Sequence, residues 1–172
     1  YLLPDVNLKL RPRLLALRPG TRVVSHDWDM GDWLPDQSQE IAAPQKRLGL
    51  RKVARLMAWT VRAHVGGRHQ GMADGSPAAL RIDQRYQLVS GGQVRIGADD
   101  YRLATQRIDA GQVVLHGLAR DGRPLRLATT LASQSDTIDW QVRIADRPAY
   151  ALRTQRLPED PAPSNDPLPS PG

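Results

Sequence analysis

The chain of 172 residues has no cysteine and no phenylalanine, and its aromatic residues are four tryptophans and four tyrosines. Without cysteine there is no disulfide, no thiolate zinc site, no iron–sulfur cluster and no cysteine nucleophile. Long apolar runs are also missing. Stretches such as Leu56–Trp59 end after a few residues, far short of the roughly 20 that a membrane-crossing helix needs. No basic region followed by an apolar stretch of secretory type is read at the start. Neither a Gly-x-Gly-x-x-Gly run nor a P-loop occurs, so no phosphate or dinucleotide cradle is expected in these residues.

The composition that remains suits a folded protein. Apolar residues make up 40%, normal for a globular chain, and a domain of this size buries roughly 70% of its unfolded surface without needing a staple. Lysine and arginine exceed aspartate and glutamate by 24 to 18, a net charge of +6. Such an excess attracts polyanions. Here, however, arginines alternate with aspartates along most segments and aromatics are only 5%, which argues against a nucleic-acid face.

Two patterns divide the chain. Near the start, Pro4-Asp5 opens a helical stretch with Val6, Leu10, Leu14 and Leu17 on one face, which Pro12 is expected to split into two short helices. Pro19-Gly20 ends it, and Arg22–His26 reads as a buried strand. Asp27–Asp36 then reads as a loop at the strand's carboxyl end, where open α/β sheets bind ligands. After a polar connector, apolar and polar residues alternate with period two over Met57–Val65, Leu80–Leu88, Tyr101–Ile108, Gln112–Leu118, Leu125–Leu131 and Ile138–Ile144. Ser90-Gly91-Gly92, Asp109-Ala110-Gly111 and Asp121-Gly122 read as the turns between them. Strands spaced this closely leave no room for crossover helices and predict an antiparallel meander, open or closed into a barrel. Six prolines between Pro158 and Gly172 predict a disordered tail.

Chemical constellations are sparse. His26, Asp27, Asp29 and Asp32 cluster between tryptophans, but the spacing does not fit a calcium loop, and capping and turn roles explain the aspartates. Ser25 and His26 are adjacent in a strand and point to opposite faces, so they cannot form a nucleophile–base pair. His64, His69 and His116 are single histidines on or beside strands, each read as a half-buried polar residue.

The run Tyr1-Leu2-Leu3-Pro4-Asp5-Val6-Asn7-Leu8-Lys9-Leu10-Arg11-Pro12, with Pro19-Gly20-Thr21-Arg22-Val23-Val24-Ser25-His26-Asp27 and Met30-Gly31-Asp32-Trp33, resembles the later half of a bacterial class I S-adenosylmethionine-dependent methyltransferase. Met57–Ala63 and the glycine-paced strands after Leu80 resemble that family's late hairpin and β-rich extension, although Arg62 and His69 depart from it. The resemblance implies a fragment of a transferase whose Gly-rich cofactor loop lies upstream of Tyr1. It implies an α/β fold, a partial Rossmann-like sheet over residues 1–66, followed by an antiparallel meander or barrel-like domain over 67–157 and a tail over 158–172, β-dominated overall.

By the same resemblance Tyr1 and Leu2 would touch S-adenosylmethionine, Leu3, Pro4, His26 and Asp27 would line the pocket of an unknown methyl acceptor, and no catalytic residue or metal ligand is assigned. The expected compartment is the cytoplasm, with a periplasmic or membrane-associated place as the alternative. Strand edges left open by a truncated sheet are expected to favour self-association. The rival reading is a non-enzymatic β-barrel-like module for a ligand or partner, with Tyr86, Leu88, Leu103, Leu115 and Trp140 lining the barrel mouth.

Overall fold

The computed structural model describes residues 3–45 and 52–158. The elements in chain order are α1 (Pro4–Leu15), β1 (Arg22–His26), β2 (Gln37–Ala42), β3 (Val53–Thr60), β4 (Gly67–Ala73), β5 (Ser76–Arg85), β6 (Leu88–Ile96), β7 (Asp99–Leu103), β8 (Gln106–Arg107), β9 (Gln112–Ala119), β10 (Pro124–Thr130), β11 (Thr137–Ile144) and β12 (Tyr150–Arg156).

Eight of these strands close on themselves. Neighbours run β5, β4, β12, β11, β10, β9, β7, β6, and β5 pairs with β6 to complete the ring, while the short β8 pairs with the start of β6. Each strand follows its neighbour by a turn, so this is an up-and-down antiparallel barrel, and closure removes its edges. The alternation seen in sequence supplies the interior. Along β11, Ile138, Trp140, Val142 and Ile144 point inward, and Leu125 and Leu127 do so on β10. With eight strands the bore is just wide enough for side chains to fill, and here they fill it.

Before the barrel, β3 lies between β1 and β2 in a second sheet, both pairings antiparallel. Met30, Trp33, Met57, Trp59 and Val61 form its own buried cluster, joined by Leu14 and Leu15 of α1 and by Tyr86 of the barrel. Val61, Ala63 and Val65, all fully buried, carry the chain from β3 into β4.

Several expectations are corrected. Every strand pairing among the described residues is antiparallel, and a single helix accompanies twelve strands. Among the described residues there is no Rossmann-like α/β sheet, which overturns the class I methyltransferase resemblance and the fold class drawn from it. The physical reason is visible at β1: its neighbour β3 returns through β2 rather than through a crossover helix, so no parallel pair arises.

The helix also differs, since α1 runs unbroken through Pro12. Its buried face is not the apolar Val6/Leu10/Leu14/Leu17 stripe, because Val6 and Leu17 are exposed and the buried residue is Asn7. Asn7 donates to Ser25 Oγ and to the carbonyls of Trp28 and Asp29, and Arg11 one turn later donates to the Met30 carbonyl. These bonds fasten the turns before Pro12, Gln134 donates to the Leu15 carbonyl after it, and together they offset the one hydrogen bond that proline removes.

Ser90-Gly91-Gly92 is not a turn but lies within β6, where the register shifts opposite Asp83 and Gln84. Gly92 is required there: its φ is +147°, and a Cβ would stand 2.2 Å from the Arg81 carbonyl oxygen. The actual turn joins β5 to β6 at Tyr86 and Gln87. Of the tail, residues 159–172 lie outside the described residues. Among the described residues, no helix is long and apolar enough to cross a membrane.

Candidate functional site

The barrel end formed by the β5–β6 turn, the β7–β9 connection and the β10–β11 loop faces α1 and the three-stranded sheet. Between them lies a cleft of about 550 Å³, walled by Leu15 and Ala16 at the end of α1, Trp33, Arg62, His64, Gln84, Arg85, Tyr86 and Gln134.

Tyr86 is the centre of this wall. Its φ is +53°, a left-handed conformation that is an outlier for a bulky side chain and costs roughly 1–3 kcal/mol. Surrounding contacts hold it there. The ring stacks on Trp33 at 6.1 Å between centroids, and Trp33 in turn packs on Trp59 at 5.9 Å. The Tyr86 carbonyl accepts from Gln84 Nε2 at 2.7 Å. Guanidinium groups of Arg11 and Arg85 stand 5.8 and 6.0 Å from the ring centroid, within cation–π range.

Two glutamines build the frame. Gln84 lies at an inward register position at the end of β5, where its Oε1 accepts from the Val65 and Gly66 amides and its Nε2 donates to the Ala63 carbonyl. Gln134, from the β10–β11 loop, accepts from the His64 amide and donates toward the carbonyls of Leu15, Leu17 and Arg62. It therefore ties the barrel loop to the helix and to the incoming strand. Arg62 is fixed by the Ile108 and Thr60 carbonyls and by Asp36 Oδ1, each at 2.9 Å. Because arginine can only donate, His64 Nδ1 accepts from Arg156 Nη1 at 2.8 Å, and the ring proton sits on Nε2.

Asp32 binds Arg11 at 2.5 Å and also binds Arg85. The Arg85 guanidinium first, with the Tyr86 hydroxyl and Arg11, holds its carboxyl down to about 2. Burial pushes the Tyr86 hydroxyl above its ordinary value, and its hydrogen bond to Asp32 adds to that. Both stay in one state at neutral pH, Asp32 ionised and Tyr86 protonated, so this cluster positions groups rather than exchanging protons.

The residues expected from sequence to form a site stand elsewhere. Tyr1 and Leu2 lie outside the described residues. Leu3 is exposed at the N-cap of α1 and Pro4 opens the helix, at the opposite end from the cleft. Asp27 accepts from the Arg55 amide at 3.0 Å while its own amide donates to the Arg55 carbonyl, so it fastens β1 to β3. His26 lies 3.4 Å from Asp27 and borders a separate shallow hollow with Ala43, Pro44, Gln45 and Ala54. Of the described ones, Leu3, Pro4, His26 and Asp27, none lines the cleft.

Of the residues expected at a barrel mouth, Leu103, Leu115 and Trp140 are buried core, whereas Tyr86 does face the cleft. Trp33, Gln84 and Gln134 were missed as site residues. One sequence signal existed: after Leu80 and Ile82 the inward register continues to Gln84, and a polar residue in that place marks where the bore ends. Among the described residues, no group of three or more histidine or acidic side chains is placed to hold a metal.

Fold and site together define a small closed β-barrel with a cleft over one end, capped by a helix and a short sheet. No protein-family model matches the chain, and no curated protein and no solved structure matches it either.

Proposed function

We propose that the chain is a non-enzymatic binding module that holds a small apolar molecule in the cleft between α1 and the barrel mouth. The single observation that carries this reading is the half-buried Tyr86 ring, backed by the buried Trp33 and held in a strained backbone conformation, beside a space of about 550 Å³. That size falls within the range of about 300–1,000 Å³ typical of small-molecule sites. The packed bore supports the same reading, because a ligand has no room inside the barrel and must sit over its end. Gln84, Gln134 and Arg62 have polar groups engaged within the frame, so shape and aromatic contact are the main means of binding. Methyl transfer and S-adenosylmethionine rested on the resemblance that the fold overturns, and nothing in the cleft calls for them.

The test uses N-phenyl-1-naphthylamine, an uncharged dye that brightens in apolar sites. The expected result is saturable binding of one dye per chain, weakened at least tenfold by Tyr86→Asn. Asparagine tolerates the left-handed backbone, so this variant removes the ring without disturbing the turn. A folded wild-type chain that fails to brighten the dye, or a Tyr86→Asn variant that binds it equally well, overturns the reading.

A further inference from the structure

We infer that the occupant of the cleft is an aromatic molecule carrying one acid group, held with its ring against Tyr86 and its anion at Arg85. This rests on the binding reading above and adds the charge of the ligand to it.

Among the described residues, those lining the cleft include Arg62, Arg85 and His64 and no carboxylate. Around it, Asp32 is shared by Arg11 and Arg85, and Asp36 by Arg62 and Arg107. Two carboxylates thus face four guanidiniums, a local excess of two positive charges. The four differ in what they can offer. Arg62 is only 12% exposed at its side chain and has its donors fixed on Asp36 and two carbonyls. Arg11 is bound to the Met30 carbonyl as well as to Asp32. Arg107 reaches Asp36 from outside the lining. Arg85, in contrast, is 73% exposed at its side chain, pairs with the shared Asp32, and lies in the wall. Its guanidinium presents a planar fork suited to an acid group. With that fork 6.0 Å from the Tyr86 ring centroid, one molecule with an acid group beside its ring spans both.

The neutral dye and 8-anilinonaphthalene-1-sulfonate share their ring system and differ in the sulfonate, so the pair isolates the charge. The sulfonate is expected to bind about fivefold more tightly than the neutral dye, the scale of an exposed ion pair, and to weaken as salt rises from 50 to 500 mM. Arg85→Gln should abolish that preference, while Arg85→Lys should keep most of it. Arg81→Gln, which removes an exposed strand charge paired with Asp83, controls for overall charge and should leave the preference intact. Equal affinity for both dyes, or a preference that survives Arg85→Gln, overturns the inference while the cleft reading stands. Failure of both dyes to bind a folded chain overturns the cleft reading itself.

Discussion

The barrel and the layer that caps it are built on opposite terms. In the barrel every strand has two neighbours, and the core is a continuous set of inward residues from all eight strands. Among the described residues of the capping layer, β1 and β2 each have one neighbour, all six residues of β2 are exposed, and the buried cluster has five members. That cluster is completed from outside, since Tyr86 of the barrel packs against it. The barrel can therefore bury its apolar surface alone, whereas the layer needs the barrel. A cleft between a self-sufficient body and a dependent one can be adjusted at little cost to the fold.

The sharpest way to break this comparison is to remove one tryptophan from each region. Trp140 is buried in the barrel and donates to Thr154 Oγ1 at 3.0 Å, while Trp59 is buried in the layer and donates to the Trp33 carbonyl at 2.7 Å. Truncation of a buried tryptophan to alanine costs about 3–5 kcal/mol. Trp140→Ala should take that from the whole molecule in denaturant unfolding. Trp59→Ala should instead release the layer first, with amide protection lost in β1–β3 and kept in β9–β11. If Trp59→Ala lowers protection equally in both, the two regions form one cooperative unit and the distinction fails.

Gln134 offers a smaller and more local break. Its side chain satisfies the His64 amide and reaches three carbonyls on α1 and the incoming strand. Gln134→Ala removes those bonds at a partly wet boundary, a loss of about 1–3 kcal/mol. Hydrogen exchange should show the loss in residues 15–17 and 62–64. Unchanged exchange there would mean that the aromatic stack alone holds the layer in place.

The parts legible in the sequence are those whose reasons are local. β1 is legible at its bounds because Val23 and Val24 stand between clear breakers, although Val24 is exposed rather than buried, and β9, β10 and β11 are legible to within a residue at each end because their fully buried positions are almost all apolar. β4 and β12 escaped notice because their inward residues include His69, Gly71 and Thr154, which read as polar positions. Only the neighbouring strand shows the cause: Thr154 receives the Trp140 indole, and a Cβ at Gly71 would meet the Arg153 carbonyl oxygen at 2.0 Å. The site follows the same rule. Tyr86 was legible as a mouth residue, but the roles of Gln84 and Gln134 depend on partners far along the chain. The family resemblance failed similarly, since a matching helix and strand say nothing of whether the next pairing is parallel.

Acid should separate the two regions with the smallest effects of all. His69 is buried on β4 and bonds the Val65 carbonyl through Nε2 at 3.0 Å, so that nitrogen carries a proton. Burial pushes its pKa below the ordinary 6.5, and nearby Arg156 adds to this. Below pH 6.5 the unfolded chain then binds a proton that the folded chain refuses. Stability contributed here is fully present above that pH and falls as the solution is acidified toward the lowered folded value. Asp32 acts in the opposite charge sense and in a lower window: depressed from 3.8 to about 2, it contributes above pH 3.8 and loses that contribution as pH falls through about 2. Asp99, Asp100, Asp121 and Asp139 on the barrel are likewise held below 3.8 by their arginines, so the lowest window touches both regions. Between pH 6.5 and 4 His69 weakens the barrel end while Asp32 remains ionised and the Arg11–Asp32–Arg85 bridge stays closed. Denaturant midpoints measured from pH 7 to 4.5 should decline in the wild type and decline less in His69→Gln, with Asp32→Asn parallel to wild type over that range. An Asp32→Asn curve that departs from wild type above pH 5 would place the acid-sensitive element in the capping layer instead.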